Sequence, residues 1–420
     1  MERGRALGLV AILLPPLLYS FYRFSIGALV PTFESTYSIS DATAGGVISA
    51  SVGLVAIGVF GGGLLAQKFG DARTILLGLV IFSTSEAAVV AAQSLWEFSA
   101  FFFLASFGTG LVITPSYGVI ASLLPGRRGL AVSLISAAYS SGGFVGPSLA
   151  GFLLVFRGWD APFLALALIG SAFTAVFAVV FGRSGKGGSA QPSISYRQAL
   201  ASRAVVVLSV ADFFADLGFL VFVSWTPKYL ISAFSVTGGG TATVDTVFGV
   251  GVGLGGVGAL ASGVLFDKFG GRRSLLLSAS LSALMFATLY LASPLPLALV
   301  LVLVTGFLSN TFWPLLTATA QVSVPEGQVT SATSVVQTAG FIGAFIGPGL
   351  AGLIGGAVSG ALILATVVPY AVFFVIITAG YRDPAAPSKP LVAENRSPRL
   401  GGDEPGEPRG RAPTDGSTAP

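Results

Sequence analysis

Apolar runs about as long as a bilayer is thick recur along this chain, separated by short polar joints. Twelve can be drawn, at 7–30, 43–66, 74–92, 98–123, 130–154, 161–182, 204–230, 244–266, 274–293, 296–321, 329–356 and 358–380. Each is about the 20 residues that a helix needs to cross the hydrocarbon core. The ten-residue alternation of a membrane strand is absent. The pattern predicts an all-α membrane protein with twelve transmembrane helices, numbered here as spans 1 to 12. Two joints are long. The first, 183–203, is rich in Gly, Ser and basic residues and divides the chain into six-helix bundles at 1–182 and 204–380. The second, 381–420, is dense in Pro, Gly and mixed charge. Such a composition buries too little apolar area to offset chain entropy, so a disordered tail is expected there.

The two halves repeat each other. Gly63-Leu64-Leu65-Ala66-Gln67-Lys68-Phe69-Gly70 returns 200 positions later as Gly263-Val264-Leu265-Phe266-Asp267-Lys268-Phe269-Gly270. In span 5, Gly146-Pro147-Ser148-Leu149-Ala150-Gly151 answers Gly347-Pro348-Gly349-Leu350-Ala351-Gly352 in span 11. Pro115 of span 4 has its counterpart in Pro314 of span 10. A period near half the chain length implies a duplicated unit, so the bundles should be related by a pseudo-two-fold axis.

Composition narrows the chemistry. The chain is 53% hydrophobic and 10% charged, with mean hydropathy +0.86, against about 25% charged residues in a soluble domain. It has no cysteine and no histidine. That removes disulfides, thiol chemistry, the commonest metal ligand and the usual general base, so neither a metalloprotease nor a Ser-His hydrolase fits. No metal, cofactor or enzymatic role is expected. The formal charge of +4 reads as basic loops on one membrane face rather than a nucleic-acid surface. Arg3, Arg5, Lys68, Arg73, Arg127, Arg128, Arg183, Lys186, Arg197, Arg203, Lys268, Arg272 and Arg273 fall on one side, Arg157 and Lys228 on the other. Both termini are therefore expected in the cytoplasm of a cell-membrane protein, and the first run reads as a spanning helix rather than a cleaved signal.

The turn Gly263-x-Leu265-x-Asp267-Lys268-Phe269-Gly270-Gly271-Arg272-Arg273 resembles the loop signature of the major facilitator superfamily, and the resemblance extends over 7–380. It implies a secondary transporter working by alternating access. Gly63 and Gly263 would allow close helix approach, and Gly70 and Gly270 a tight turn. Asp267 with Lys68, Lys268, Arg272 and Arg273 would form a conformational latch. The first copy is degenerate, with Gln67 in the acidic place, so the charged latch is expected at the second. The Gly-Pro elements resemble a helix motif associated with exporters. Their presence in both halves favours packing and bending at Gly146, Pro147, Gly151, Gly347, Pro348 and Gly352.

Charges inside spans are the functional lead, since they are costly unless they face a cavity or a partner. In the superfamily, helices 1, 4, 7 and 10 line the central cavity. Arg23 in span 1 resembles the helix-1 arginine of organic anion symporters in the anion:cation symporter branch, although Tyr22 stands where that branch has an aspartate. Its planar fork suits a carboxylate or phosphate. Asp212 and Asp216 lie four apart in span 7, hence on one face. Two close carboxylates repel when both are ionised, which suits proton binding and release. Alternatively, Asp216 neutralises Arg23 as a structural pair. Tyr22, Tyr117, Asn310 and Trp313 would complete a small-molecule site. Glu86 in span 3 contacts helix 1 or 2, or lies near the outer headgroups.

The expected partners are a small-molecule substrate, the bilayer and protons as coupling ion, with no nucleic acid and a monomeric state. A small organic anion carried with protons is the leading reading. An exporter of amphipathic compounds and a non-transporting receptor of the same fold are the rivals. An intramembrane aspartyl protease needs its aspartates on facing helices, and an ATP-driven pump needs a phosphate-binding loop; neither is present in the sequence.

Overall fold

The computed structural model describes residues 2–124, 128–182, 196–325 and 329–383. The first half runs α1 (Glu2–Tyr37), α2 (Asp41–Phe69), α3 (Asp71–Val90), α4 (Leu95–Leu123), α5 (Arg128–Arg157) and α6 (Ala161–Phe181). After a short α7 (Tyr196–Ala201) come α8 (Arg203–Ala233), α9 (Gly239–Phe269), α10 (Gly271–Leu291), α11 (Leu295–Ser309), α12 (Phe312–Val322), α13 (Val329–Leu353) and α14 (Ser359–Gly380). Twelve helical stretches among the described residues are long and apolar enough to span a membrane. The helices overrun the apolar runs: α1 begins well before the first run and continues past Pro31 to Tyr37. The 183–203 joint was expected to be loop throughout, yet it contains α7. Most of that joint, with Arg183 and Lys186, lies outside the described residues, as do Arg127 and nearly all of the predicted tail.

Span 10 was read as one helix and is two, α11 and α12, broken at Asn310 and Thr311. Pro314 contributes to the break, since it has no N–H to give the Asn310 carbonyl and its ring crowds it. The hydroxyl of Thr311 donates to the Leu308 carbonyl at 2.7 Å and supports the break. In the first half, α4 stays continuous through Pro115.

Local signals account for the ends. Ser94 caps α4 by accepting from the Glu97 amide at 3.2 Å, while the Glu97 carboxylate accepts from the Gln93 amide at 2.8 Å, close to a capping box. The repeated turns work as expected: Gly70 (φ 90, ψ 152) and Gly270 (φ 79, ψ 171) join α2 to α3 and α9 to α10. This backbone region is essentially closed to residues with a side chain. Gly270→Ala is expected to lower stability by about 1–3 kcal/mol, read as a fall in the unfolding temperature of purified protein; an unchanged temperature would mean that the turn relaxes.

Packing repeats as the sequence does. α1 lies on α5 as α8 lies on α13, and α3 lies on α6 as α10 lies on α14. The halves meet along α5–α9 and α2–α13, with α1 against α8. The Gly-Pro elements are packing sites within and between halves. Gly146 lies on the Phe21 carbonyl of α1 and Gly347 on the Leu217 carbonyl of α8, while Gly151 meets Asp245 of α9 and Gly352 meets Asp41 of α2. Pro147 and Pro348 both lie inside helices.

Candidate functional site

Inter-half contacts gather toward one end. There Lys228 of α8 pairs with Glu34 of α1 and, at 2.6 Å, with Asp41 of α2. Below them the Trp225 indole N–H donates to the Pro348 carbonyl at 3.1 Å, and the Gly349 amide donates to Ser49 Oγ at 2.8 Å. On the other seam Gly249, Gly253 and Gly256 of α9 meet Ser148, Phe144 and Ser140 of α5. Toward the Lys68 end no such meeting occurs at the paired glycines. Gly63 touches only Thr114 of its own half, and Gly263 faces open space. The close approach expected at Gly263 is therefore not made in this conformation.

Between the halves, Arg23 of α1 is 8% exposed. Its Nη1 donates to the Tyr19 hydroxyl at 2.7 Å, and its Nε has no hydrogen-bond partner among the described residues. Tyr19 is one helical turn earlier on the same face, so the helix itself presents the phenol that orients the guanidinium. Arg23 and Asp216 of α8 line one narrow cleft, with a free volume of about 10 Å³, together with Tyr139, Asn310 and Trp313. The cavity therefore draws on α1, α5, α8 and the α11–α12 break. Among the described residues, the ion pairs are those of Lys228, and no carboxylate comes within pairing distance of Arg23. A second cavity, also with a free volume of about 10 Å³, lies on the other side of Arg23, against Tyr19, Tyr22, Ser51 and Val55.

Asp212 is fully buried and Asp216 7% exposed. Both face α13, where a methyl group on Gly340 would run into carboxylate oxygens of each. The shared face expected from their spacing is present. Neither Asp212 oxygen has a hydrogen-bond partner among the described residues. Tyr22 forms part of the second cavity but spends its hydroxyl within the first half, at 2.7 Å from Ser106 Oγ and 3.2 Å from the Phe102 carbonyl. Tyr117 is 39% exposed on α4 and is not part of either cavity lining. Glu86 is fully buried, so it does not lie at the headgroups, and neither of its carboxylate oxygens has a hydrogen-bond partner among the described residues.

The second-half turn is held by a carboxylate from outside the loop signature. Asp267 is exposed and takes part in no ion pair among the described residues. The carboxylate at this corner is Asp383, whose Oδ1 accepts from the Arg272 amide at 2.9 Å, while Arg272 Nη2 donates to the Thr378 carbonyl at 2.8 Å. Lys68 and Lys268 each lie 5.2 Å from the ring of the following phenylalanine, and Arg273 is exposed.

The sequence missed Tyr19 and Tyr139. Tyr19 was findable, four residues before Arg23. Tyr139 was not, since it sits among small residues before the Gly-Pro element with no spacing that marks it.

Twelve helices in two repeated halves, with a charged cleft where the halves meet, define a polytopic membrane protein. The chain belongs to the Major Facilitator Superfamily, whose sequence profile matches residues 16–348 and 213–409. A gallate transporter of Pseudomonas putida is 26% identical over 145 residues, 34% of this chain and 32% of that protein. The 4-hydroxybenzoate transporter PcaK of Acinetobacter baylyi is 24% identical over 33% of this chain and 31% of its own length. The matches to these two relatives thus span about a third of each. Among solved structures, a bacterial homologue of the human lysosomal transporter Spinster, in an inward-facing and unoccupied conformation, aligns with TM-score 0.77 at 15% identity, covering 92% of this chain and all of that one. The nucleoside transporter NupG aligns with TM-score 0.74 at 12% identity, over 90% of this chain and all of that one. These likenesses establish the fold.

Proposed function

We propose that this protein carries a small organic anion together with protons by alternating access, the bundles 1–182 and 204–380 rocking about the cavity at Arg23. The observation that carries the reading is Arg23 itself: a buried guanidinium facing a cavity between the halves, with no carboxylate at pairing distance among the described residues. A buried cation in that position is served by an anion from outside. Relatives named for gallate, cis,cis-muconate and 4-hydroxybenzoate transport support a carboxylate. Asp216, with Asp212 behind it, is the proton carrier. The Lys68 end faces the cytoplasm, both termini lie on that side of the cell membrane, and the monomer is the working unit. Asn310 and Trp313 bound the substrate, while Tyr22 supports Arg23 from the first-half side.

The test is a thermal-shift screen of purified protein against carboxylates, sugars and amphipathic cations, since a ligand stabilises the state that it binds. A carboxylate hit is then titrated against Arg23→Lys. The point charge of lysine cannot copy the bidentate fork, so affinity should fall by about 2–5 kcal/mol. Undiminished affinity would favour an exporter of amphipathic compounds that does not need Arg23. Binding without flux in proteoliposomes would indicate a receptor.

A further inference from the structure

Tyr139 joins the aromatic surfaces of the two halves beside Arg23. On its own side its ring lies 5.7 Å from Tyr19 and 5.6 Å from Phe24, centroid to centroid. Across the cleft it lies 6.1 Å from Trp313, the two planes inclined by only 33°. Its backbone is held in place because the Ser20 hydroxyl of α1 donates to the Tyr139 carbonyl. Three residues later Gly142 lets α5 sit directly on the Leu17 carbonyl. The cavity that holds Arg23 thus has one wall in Tyr139 and Trp313, with Tyr19 behind Tyr139. It has a second apolar wall in Phe219 and Phe312, whose rings meet edge to face at 5.9 Å.

A slot between aromatic walls favours a flat, polarisable ring over a puckered saturated one, because only the flat ring keeps offset or edge contact with both sides. We infer that Tyr139 is a specificity-determining residue that makes the Arg23 site select planar ring carboxylates over saturated ones of equal charge and similar size. This rests on the anion reading above and adds a preference that Arg23 alone does not supply, since the guanidinium meets the same carboxylate in either case.

The probes are benzoate and cyclohexanecarboxylate, titrated calorimetrically into the purified full-length protein. Wild type should bind benzoate about tenfold more tightly, the scale of one or two aromatic contacts. Tyr139→Leu should bring the two acids within about threefold of each other, chiefly by weakening benzoate. Tyr139→Phe should keep the preference, since the ring and not the hydroxyl supplies it. Trp313→Leu approaches the same wall from the other half and should also narrow the gap, which keeps the inference testable if Tyr139→Leu does not fold. Equal binding of both acids by wild type, or an undiminished preference in Tyr139→Leu, overturns the inference and leaves the anion site standing. If neither acid binds wild type, the anion reading and this one fall together.

Discussion

Asp216→Asn is expected to abolish uphill accumulation driven by a pH gradient while leaving exchange of labelled for unlabelled substrate intact. Asp216 is the cavity-facing member of a pair whose other member is completely buried. Both carboxylates look onto Gly340 of α13, Arg23 shares the cavity from α1, and Tyr370 of α14 packs on α8 at Gly218. In such a dry setting two negative charges one helical turn apart repel strongly, and taking up and releasing a proton relieves and restores that repulsion. Asparagine keeps the shape and loses the proton exchange, so a proteoliposome assay should show uphill transport reduced by at least about tenfold, and binding little changed. Loss of binding, restored by combining the change with Arg23→Gln, would instead identify a structural ion pair and sink the coupling assignment.

Lys228→Met should produce the largest conformational effect. Lys228 closes the Glu34 end by joining carboxylates on α1 and α2 to α8, with its ammonium also 5.4 Å from the Trp225 ring. The three side chains are 17%, 10% and 35% exposed, for Lys228, Glu34 and Asp41, so solvent screens the pairs and the full worth of a buried bridge does not apply. Removing the cation still leaves two first-half carboxylates that repel each other at the seam, with no counter-charge from α8. A coupling of about 1–3 kcal/mol would move the balance of closed and open states about 5–150-fold toward opening at that end. Single cysteines introduced at Ser40 and Ser232 into the cysteine-free chain would report it as a longer spin-label distance. Adding Glu34→Gln and Asp41→Asn should restore much of the closed population by removing the repulsion. A distance unchanged from wild type would show that Trp225 and the glycine contacts hold this end alone.

What could be read from the sequence follows from what is local or repeated. Span count came from run length, and the Gly70 and Gly270 turns from the 200-residue repeat. The common face of Asp212 and Asp216 came from helical spacing. Arg23 and Asp216 meet in one cavity, as intramembrane charges are prone to do. The remainder depends on distant pairings. Lys228 was legible only as a charge on the sparse side, because its partners Glu34 and Asp41 are nearly 190 residues away or more. Tyr139 carries no charge and no period. The break at Asn310 was implicit in Pro314, but Pro115 at the matching place leaves α4 whole, so proline alone did not decide it.

The corner at Asp383 bears on the order in which the chain can assemble. In the first half the corresponding carboxylate is Asp71, at the start of α3 and resting on Gly118 of α4. That corner is complete once the fourth helix has been made. Gly271 occupies the matching place in the second half, and the carboxylate beside it comes from Asp383, 111 residues after Arg272 and beyond the last helix. During synthesis the first half can therefore finish its turn early. The second must wait, with the start of α10 uncapped, until α14 has left the ribosome.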